Sequence, residues 1–390
     1  MATTGPGTVD VLDPRVERSR REWRATRQAL NANRHALAQV AAGLYPERVR
    51  LGSTGLLARP DWLPDAPVEV SAIVLEHDPT APEPVLTGVE PATEHTRPQR
   101  SPVHRYGRYS EAIGDLARPR LFEDRHCWRI TDLSWDGDKG RMGFTDSGFF
   151  TACDVFESLA HELAHAAVTE DAVRPPAMRD LPFRRLLGDP FDLARRPVIL
   201  AVATLTIRRG ADGAEFLLHR RDPRAVTAAG GMVHVIPCGI FQPSTAHPIA
   251  RQADFDLWRT FMREFSEELL GNPERYADGQ PIRYDGEPFT TLDQARHDGR
   301  IRMHCLGVAL DALTLVGEVL TVAVVEADLF DELDRNFADR NDEGQVVAER
   351  VPFTADAIDR LFSREQLAPA GAGCVSLAWR FRDLLVGRAS

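Results

Sequence analysis

The sequence predicts an α/β fold for the second half of this chain of 390 residues. Two apolar segments, 198–208 and 215–220, are expected to form strands joined by a turn that contains two glycines. A strongly amphipathic helix is predicted over 255–270, ahead of two further strands at 301–308 and 316–326. Strands that alternate with helices along a chain favour a layered α/β sandwich.

Four further segments complete the predicted pattern of the second half. A short extended run is expected at 234–241, just before the amphipathic helix. After the last strands, an acidic loop is predicted at 331–343, followed by helices at 355–362 and 375–385.

The first half has the pattern of an additional α+β domain. A long helix is predicted over 14–43, because apolar residues recur every seven positions along it. These residues are Val16, Trp23, Leu30, Leu37 and Leu44. The arginines expected to form a solvated face are Arg15, Arg18, Arg20, Arg21, Arg24 and Arg27. A second helix is predicted over 152–168, and the proline-rich segment 78–102 is predicted to be an exposed loop.

A second group of prolines, within 175–197, separates the two patterns. Prolines concentrate where helices end and linkers run. A chain of this length also exceeds what one compact core usually holds. We therefore predict two domains, an N-terminal α+β domain of unknown role over 1–185 and an α/β/α sandwich over 190–390.

Composition excludes several classes of function. Lys and Arg number 47 against 58 Asp and Glu, so the formal charge is −11 and binding of nucleic acid is not expected. The most apolar run, 198–207, is far shorter than the roughly 20 residues that span a bilayer. No signal peptide is visible, and the five cysteines form no CxxC pair. These features predict a cytoplasmic protein and leave its oligomeric state open.

Three glutamates mark the amphipathic helix as a candidate site. Glu264, Glu267 and Glu268 fall on one side of a helix that turns about 100° per residue, beside its apolar stripe. Like charges at these spacings cost a helix about 0.2–0.5 kcal/mol per pair, whereas a bound Mg²⁺ would make them favourable. The alternative is a solvated acidic face in which Arg263 pairs with Glu267.

The order of strand, glycine-containing loop and glutamate helix resembles the Nudix hydrolase superfamily. Its signature is G-x5-E-x7-R-E-U-x-E-E-x-G-U, in which U is a bulky aliphatic residue. The matching residues are Arg263, Glu264, Phe265 (at the first U), Glu267 and Glu268. The segment 237–239 (Pro-Cys-Gly) resembles the loop that opens the signature.

The chain departs from the signature at three places. Gly239 precedes Arg263 by 24 positions where the pattern has 14, so 242–252 is expected to hold a ten-residue insertion. Phe255 stands where the signature has its first glutamate, flanked by Asp254 and Asp256. The closing glycine, Gly271, comes one residue late.

The resemblance implies hydrolysis of the pyrophosphate bond of a nucleoside diphosphate linked to another moiety. It implies that Glu264, Glu267 and Glu268 hold Mg²⁺ or Mn²⁺ and that Arg263 orients a neighbouring carboxylate. The partner would be a small nucleotide-type substrate. Pyrophosphate cleavage needs cations beside the bond and an activated water, which agrees with a carboxylate-rich site. Further candidates are Glu343 and Glu349 for the base and His219, Arg220 and Arg221 for phosphate contact.

Two alternatives remain at this point. Phe255 and the insertion favour a non-catalytic Nudix-like module that binds a nucleotide and has a regulatory role. The third possibility is a zinc peptidase, because His161-Glu162-Leu-Ala-His165 is a literal HExxH sequence in a predicted helix. The apolar residues of that helix lie opposite the histidines, so we expect His161 and His165 to lie on a solvated face instead.

Overall fold

A computed structural model of the chain describes residues 13–119, 122–170, 172–221, 232–273, 279–338, 340–341 and 344–387. The predicted α/β class is confirmed, since helices and strands alternate through most of these residues. The helices are α1 (Pro14–Ala32), α2 (Arg34–Gly43), α3 (Tyr109–Leu116), α4 (Phe149–Ala167), α5 (Pro182–Leu187), α6 (Pro248–Ala253), α7 (Leu257–Glu264), α8 (Phe289–His297), α9 (Ala327–Asp334), α10 (Ala355–Arg364), α11 (Pro369–Arg380) and α12 (Arg382–Leu385).

The strands form one large and one small sheet. They are β1 (Leu56–Leu57), β2 (Val68–Glu69), β3 (Ile73–His77), β4 (His126–Asp136), β5 (Lys139–Gly148), β6 (Leu200–Gly210), β7 (Gly213–Arg221), β8 (Val233–Val235), β9 (Cys238–Ile240), β10 (Ile301–Asp311), β11 (Gly317–Glu326), β12 (Arg340–Asn341) and β13 (Gly344–Pro352). In the large sheet the main order is β1-β10-β11-β6-β7-β13-β12, and β6 runs parallel to β11. The small sheet has the order β3-β5-β4.

Both faces of the large sheet are covered. Along β6, Val202 belongs to one hydrophobic core, whereas Ala203 and Leu205 belong to another. The first core includes apolar residues of α7 and α8, and the second includes those of α10 and α11. A strand buried on both faces has a nearly continuous apolar sequence, as 198–207 does. The strands expected at 198–208, 215–220, 301–308 and 316–326 are all present.

The predicted first helix is two helices. The chain breaks at Asn33, whose side chain donates to the carbonyl of Ala29 and so competes with continued helix. Val16, Trp23, Leu30 and Leu37 are buried as expected. The solvated arginine face is wrong at one position, because Arg27 lies inside the fold against a buried glutamate.

Two other segments differ from expectation. The acidic segment 331–343 is not wholly a loop, since α9 extends to Asp334. The sequence Asp146-Ser147-Gly148 forms the end of strand β5. The β4–β5 hairpin itself was not among the predicted elements.

The two halves of the chain share structure. Strands β1 and β2 come from the first half and pair with β10 of the second half. One hydrophobic core contains residues from both sides of residue 185, including Leu163 and Phe261. The predicted domain boundary near residue 185 stays a prediction, because shared contacts do not show whether either half folds alone.

None of the described helices has both the length and the apolar composition that crossing a bilayer requires.

Candidate active site at the glutamate helix

The glutamate helix begins and ends with distinct local structure. The Asp256 side chain accepts a hydrogen bond from the backbone N–H of Arg259 and caps the first turn of α7. Trp258, Phe261 and Met262 bury the apolar face of α7. After Glu264 the chain continues as a π-helical turn, Phe265–Leu269, so the continuous α-helix predicted over 255–270 is wrong at both ends. A π turn changes the angular spacing of side chains and is frequent at functional sites.

The three glutamates differ in depth. Glu264 is the last residue of α7, and its side chain is 14% exposed. Glu267 and Glu268 lie within the π turn, where Glu267 is partly exposed and Glu268 is buried. Glu264 and Glu267 therefore lie beside the buried apolar stripe, as predicted. Glu268 is more deeply buried than the helical periodicity predicts.

Arg263 fixes the first of these carboxylates. Its Nη2 lies 2.8 Å from Glu264 Oε1, and its Nη1 donates to the carbonyl of Gln242 at 2.7 Å. Burial alone would lower the pKa of the Arg263 guanidinium, but Glu264 and Glu267 act in the opposite sense and the net pKa is raised. Arg263 is therefore a permanent cation that joins the Glu264 carboxylate to the segment following β9.

The segment Cys238–Gly239 approaches two of the glutamates. The backbone N–H of Cys238 donates to Glu268 Oε2 at 3.2 Å. Gly239 lies so close to Glu264 that a Cβ atom placed on it would overlap the Glu264 carboxylate group. The loop that the sequence predicted to open the site is thus in direct contact with the carboxylates of Glu264 and Glu268.

We expect Gly239→Ala to destabilise the fold by about 2 kcal/mol, because the Glu264 carboxylate that it would displace is held by the buried Arg263. Chemical denaturation of the purified variant measures this change. Gly286→Ala is the matched control, since the nearest atom to its added Cβ is 3.6 Å away. Equal stability of the two variants would show that the site yields easily around Gly239.

The predicted insertion at 242–252 forms hydrogen bonds with the side chain of Asp254. Asp254 Oδ2 accepts from the backbone N–H of Ser244 at 2.7 Å and from its Oγ at 2.6 Å, and Asp254 Oδ1 accepts from the hydroxyl of Tyr284. Since Asp254 holds the insertion and Asp256 caps α7, both flanking aspartates have structural contacts. The role of Asp254 could not be predicted from local sequence, because its hydrogen-bond partners lie 10 and 30 residues away.

Phe255 occupies the signature position of a glutamate and is part of an aromatic cluster. Its ring centroid lies 5.0 Å from that of Trp128 and 5.5 Å from that of Phe144, which belong to β4 and β5. Phe241 completes the cluster at 5.7 Å. The residue that replaces the glutamate therefore packs against the small sheet of the first half.

The other candidates for phosphate contact and for the catalytic base are not shown to lie beside the three glutamates. Arg220 forms an ion pair with Glu365 at 2.8 Å, on the side of β7 that faces α10. His219 is buried, with its ring centroid 6.3 Å from that of His234 on β8. The remaining candidates lie outside the described residues, either entirely or in their side chains. They are Arg221, Glu343 and Glu349.

The HExxH sequence lies on α4, which is buried on most of its surface. His165 is exposed as expected, but the expectation of a solvated His161 is wrong, since only 3% of this residue is exposed. His161 Nδ1 lies 2.9 Å from the hydroxyl of Tyr109 on α3. Burial lowers the pKa of His161 well below its ordinary value, and Arg27 adds to the shift.

Glu162 of this sequence has a structural contact. Its two carboxylate oxygens accept the backbone N–H groups of Phe183 at 2.7 Å and Arg184 at 3.0 Å, at the start of α5. A zinc peptidase uses this glutamate as a general base. The observed bonds favour a structural role for α4 over zinc catalysis.

The donor groups near the glutamate helix determine which cation could bind there. Within the described residues, no group of three or more His, Cys, Asp or Glu side chains is arranged to hold a metal ion. Mg²⁺, however, is usually bound by only one or two carboxylates together with water and substrate phosphates. Carboxylate donors at Glu264 and Glu268, beside the partly exposed Glu267, are of the type this cation prefers.

No protein-family model matches the chain, and a comparison with curated proteins gives no match. Among solved structures, similarity extends to the crystal structure of a NUDIX hydrolase from Alicyclobacillus acidocaldarius. The likeness covers 43% of this chain and 84% of that chain, with 19% sequence identity and a TM-score of 0.25. It is too weak to assign an activity, and membership of the Nudix superfamily stays a prediction.

Proposed function

We propose that this protein is a divalent-metal-dependent hydrolase that cleaves the pyrophosphate bond of a nucleoside diphosphate linked to another moiety. The observation that carries the proposal is the contact of Glu264 and Glu268 with the single segment Cys238–Gly239. Two carboxylates held beside one stretch of backbone supply oxygen donors of the kind that a hard cation prefers.

Each residue of the site has a proposed task. Glu264, Glu267 and Glu268 are the ligands for Mg²⁺ or Mn²⁺, and Arg263 positions Glu264 through their 2.8 Å ion pair. Gly239 permits the close approach of backbone and carboxylate. When bound, the cation supplies charge neutralisation on phosphoryl oxygens and lowers the pKa of a coordinated water. A small nucleotide-type substrate and a cytoplasmic location are part of the same proposal.

The test is release of phosphate or nucleotide from a panel of nucleoside diphosphate derivatives. We expect turnover of at least one substrate with Mg²⁺ or Mn²⁺ and its loss when EDTA removes the cation. Turnover that persists in EDTA would contradict the role of the glutamates. Absence of turnover for every substrate of a broad panel would contradict the proposal that the protein is an enzyme.

A second candidate is a non-catalytic module that binds a nucleotide. The aromatic cluster around Phe255 favours it, because the position of a signature glutamate is filled by an aromatic side chain that packs against other rings. Calorimetric binding of a nucleoside diphosphate derivative without turnover in any metal would support this candidate. Zinc content of the purified protein, measured alongside, tests the peptidase alternative at His161 and His165.

A further inference from the structure

A cavity of about 260 Å³ lies between β7, β8, β13 and α10. Its floor is apolar, formed by Leu218, Val233 and Leu361, which belong to the core that packs against α10 and α11. The glutamate helix packs against the other face, since Phe261 and Phe265 belong to the other core. The cavity is therefore separated by the sheet from the candidate active site.

Arginines surround this apolar floor. Arg360 and Arg364 lie one turn apart on α10, and Arg220 projects from β7. Glu365 forms an ion pair with Arg220, so the lining holds one carboxylate against these three guanidinium groups. Among the described residues, no carboxylate lies within ion-pair distance of Arg360 or Arg364. Counted over the described lining residues, the cavity thus carries net positive charge in a chain whose formal charge is −11.

A fourth arginine borders the cavity but does not contribute its charge there. The guanidinium of Arg350 pairs with Asp334 on α9 and lies 5.4 Å from the ring centroid of Phe330. Phe330 belongs to the core on the glutamate-helix face. The positive charge available to a ligand therefore comes from Arg360 and Arg364, since Arg220 is paired with Glu365.

We propose that this cavity binds an organic phosphate monoester. Planar guanidinium groups donate paired hydrogen bonds to phosphate oxygens, and the apolar floor suits a hydrophobic or aromatic body attached to that phosphate. Small-ligand sites commonly combine an apolar lining with a few polar anchors in this way. The site is distinct from the glutamate site and does not depend on the proposed hydrolysis.

The test is isothermal titration calorimetry of the full chain with phenyl phosphate in buffer that contains EDTA. Chelation removes divalent cations, so phosphate has no cation to bind at the glutamates. We expect phenyl phosphate to bind at least about tenfold more tightly than inorganic phosphate, and benzyl alcohol not to bind measurably, because affinity needs both the charge and the apolar body. Absence of phenyl phosphate binding, or equal affinity for inorganic phosphate, would overturn the proposal.

Variants locate the binding. Arg360→Ala combined with Arg364→Ala should weaken phenyl phosphate binding by at least about tenfold, since two charge-assisted contacts are lost. Arg185→Ala, at an exposed helical arginine on α5, is the matched control and should bind as the unmodified chain does. Unchanged affinity in the double variant would place the ligand elsewhere.

A gain of affinity provides a second measure that unfolding cannot mimic. Glu365→Gln removes the carboxylate from the cavity lining and should tighten phenyl phosphate binding by about threefold or more. Weaker binding in Glu365→Gln would contradict an anion at this position.

Discussion

Glu268→Gln should lower metal-dependent pyrophosphate hydrolysis by at least about 100-fold, which corresponds to roughly 3 kcal/mol of transition-state stabilisation. The amide oxygen of glutamine can still accept the Cys238 N–H, so the contact that holds the segment in place is kept. What the substitution removes is the negative charge of a buried carboxylate beside Glu264. The measurement is kcat/KM at saturating Mg²⁺ for the best substrate of the panel.

The control for this prediction is Glu287→Gln. Glu287 is exposed and lies outside the π turn, and its carboxylate accepts from the hydroxyls of Thr290 and Thr291. We expect Glu287→Gln to keep full turnover. Equal melting temperatures of the Glu268→Gln variant and the unmodified chain would show that the loss concerns chemistry. A Glu268→Gln variant that retains turnover would remove the main support for catalysis at this helix.

The largest loss of stability is expected for Glu157→Gln in the first half. Glu157 is fully buried on α4, and it pairs with Arg27 of α1 at 2.6 Å and with Arg34 of α2 at 3.4 Å. Removal of one member of a buried ion pair leaves an uncompensated charge inside the protein. We expect a loss of about 3–5 kcal/mol in the free energy of unfolding, measured by chemical denaturation at neutral pH.

Exposed Glu47→Gln serves as its control and should change stability by less than about 0.5 kcal/mol. The acid dependence gives a second check. Burial alone would raise the pKa of Glu157, but Arg27 and Arg34 outweigh it and the net pKa is lowered. The stability that comes from its ionisation is therefore present above the ordinary value of 4.5 and is lost as the pH falls through the lower folded pKa. The two variants should differ strongly at pH 7 and progressively less in stronger acid.

The sequence predicts those parts of the fold that depend on local periodicity. The apolar runs 198–208 and 316–326 form the paired strands β6 and β11, because a strand buried on both faces has a nearly continuous apolar sequence. The apolar stripe from Val16 to Leu37 is buried because an amphipathic helix turns its apolar side towards the core. The candidate site was identified by the match of four residues to the signature, namely Arg263, Glu264, Glu267 and Glu268. Its catalytic role stays a prediction.

Features that depend on partners distant in sequence could not be predicted. His161 is on the polar side of α4 by periodicity, and its burial is explained by the packing of α1 and α3, which brings Trp23 and Tyr109 to it. Phe255 stands in the sequence as the loss of a signature glutamate, but in the structure its ring packs against Trp128 and Phe144 of the first half. The π turn at Phe265–Leu269 changes the depth of Glu268 without any proline or glycine inside the turn to indicate it.

Strands β1 and β2 have a protective consequence for the rest of the molecule. They cover the outer side of β10 at Leu310–Asp311 and at His304–Cys305. A fragment cut near residue 185 would lose both strands and expose that row of amide and carbonyl groups as a free sheet edge. Free edges template pairing between chains, so proteolytic separation of the two halves would turn the second half into a species prone to aggregation.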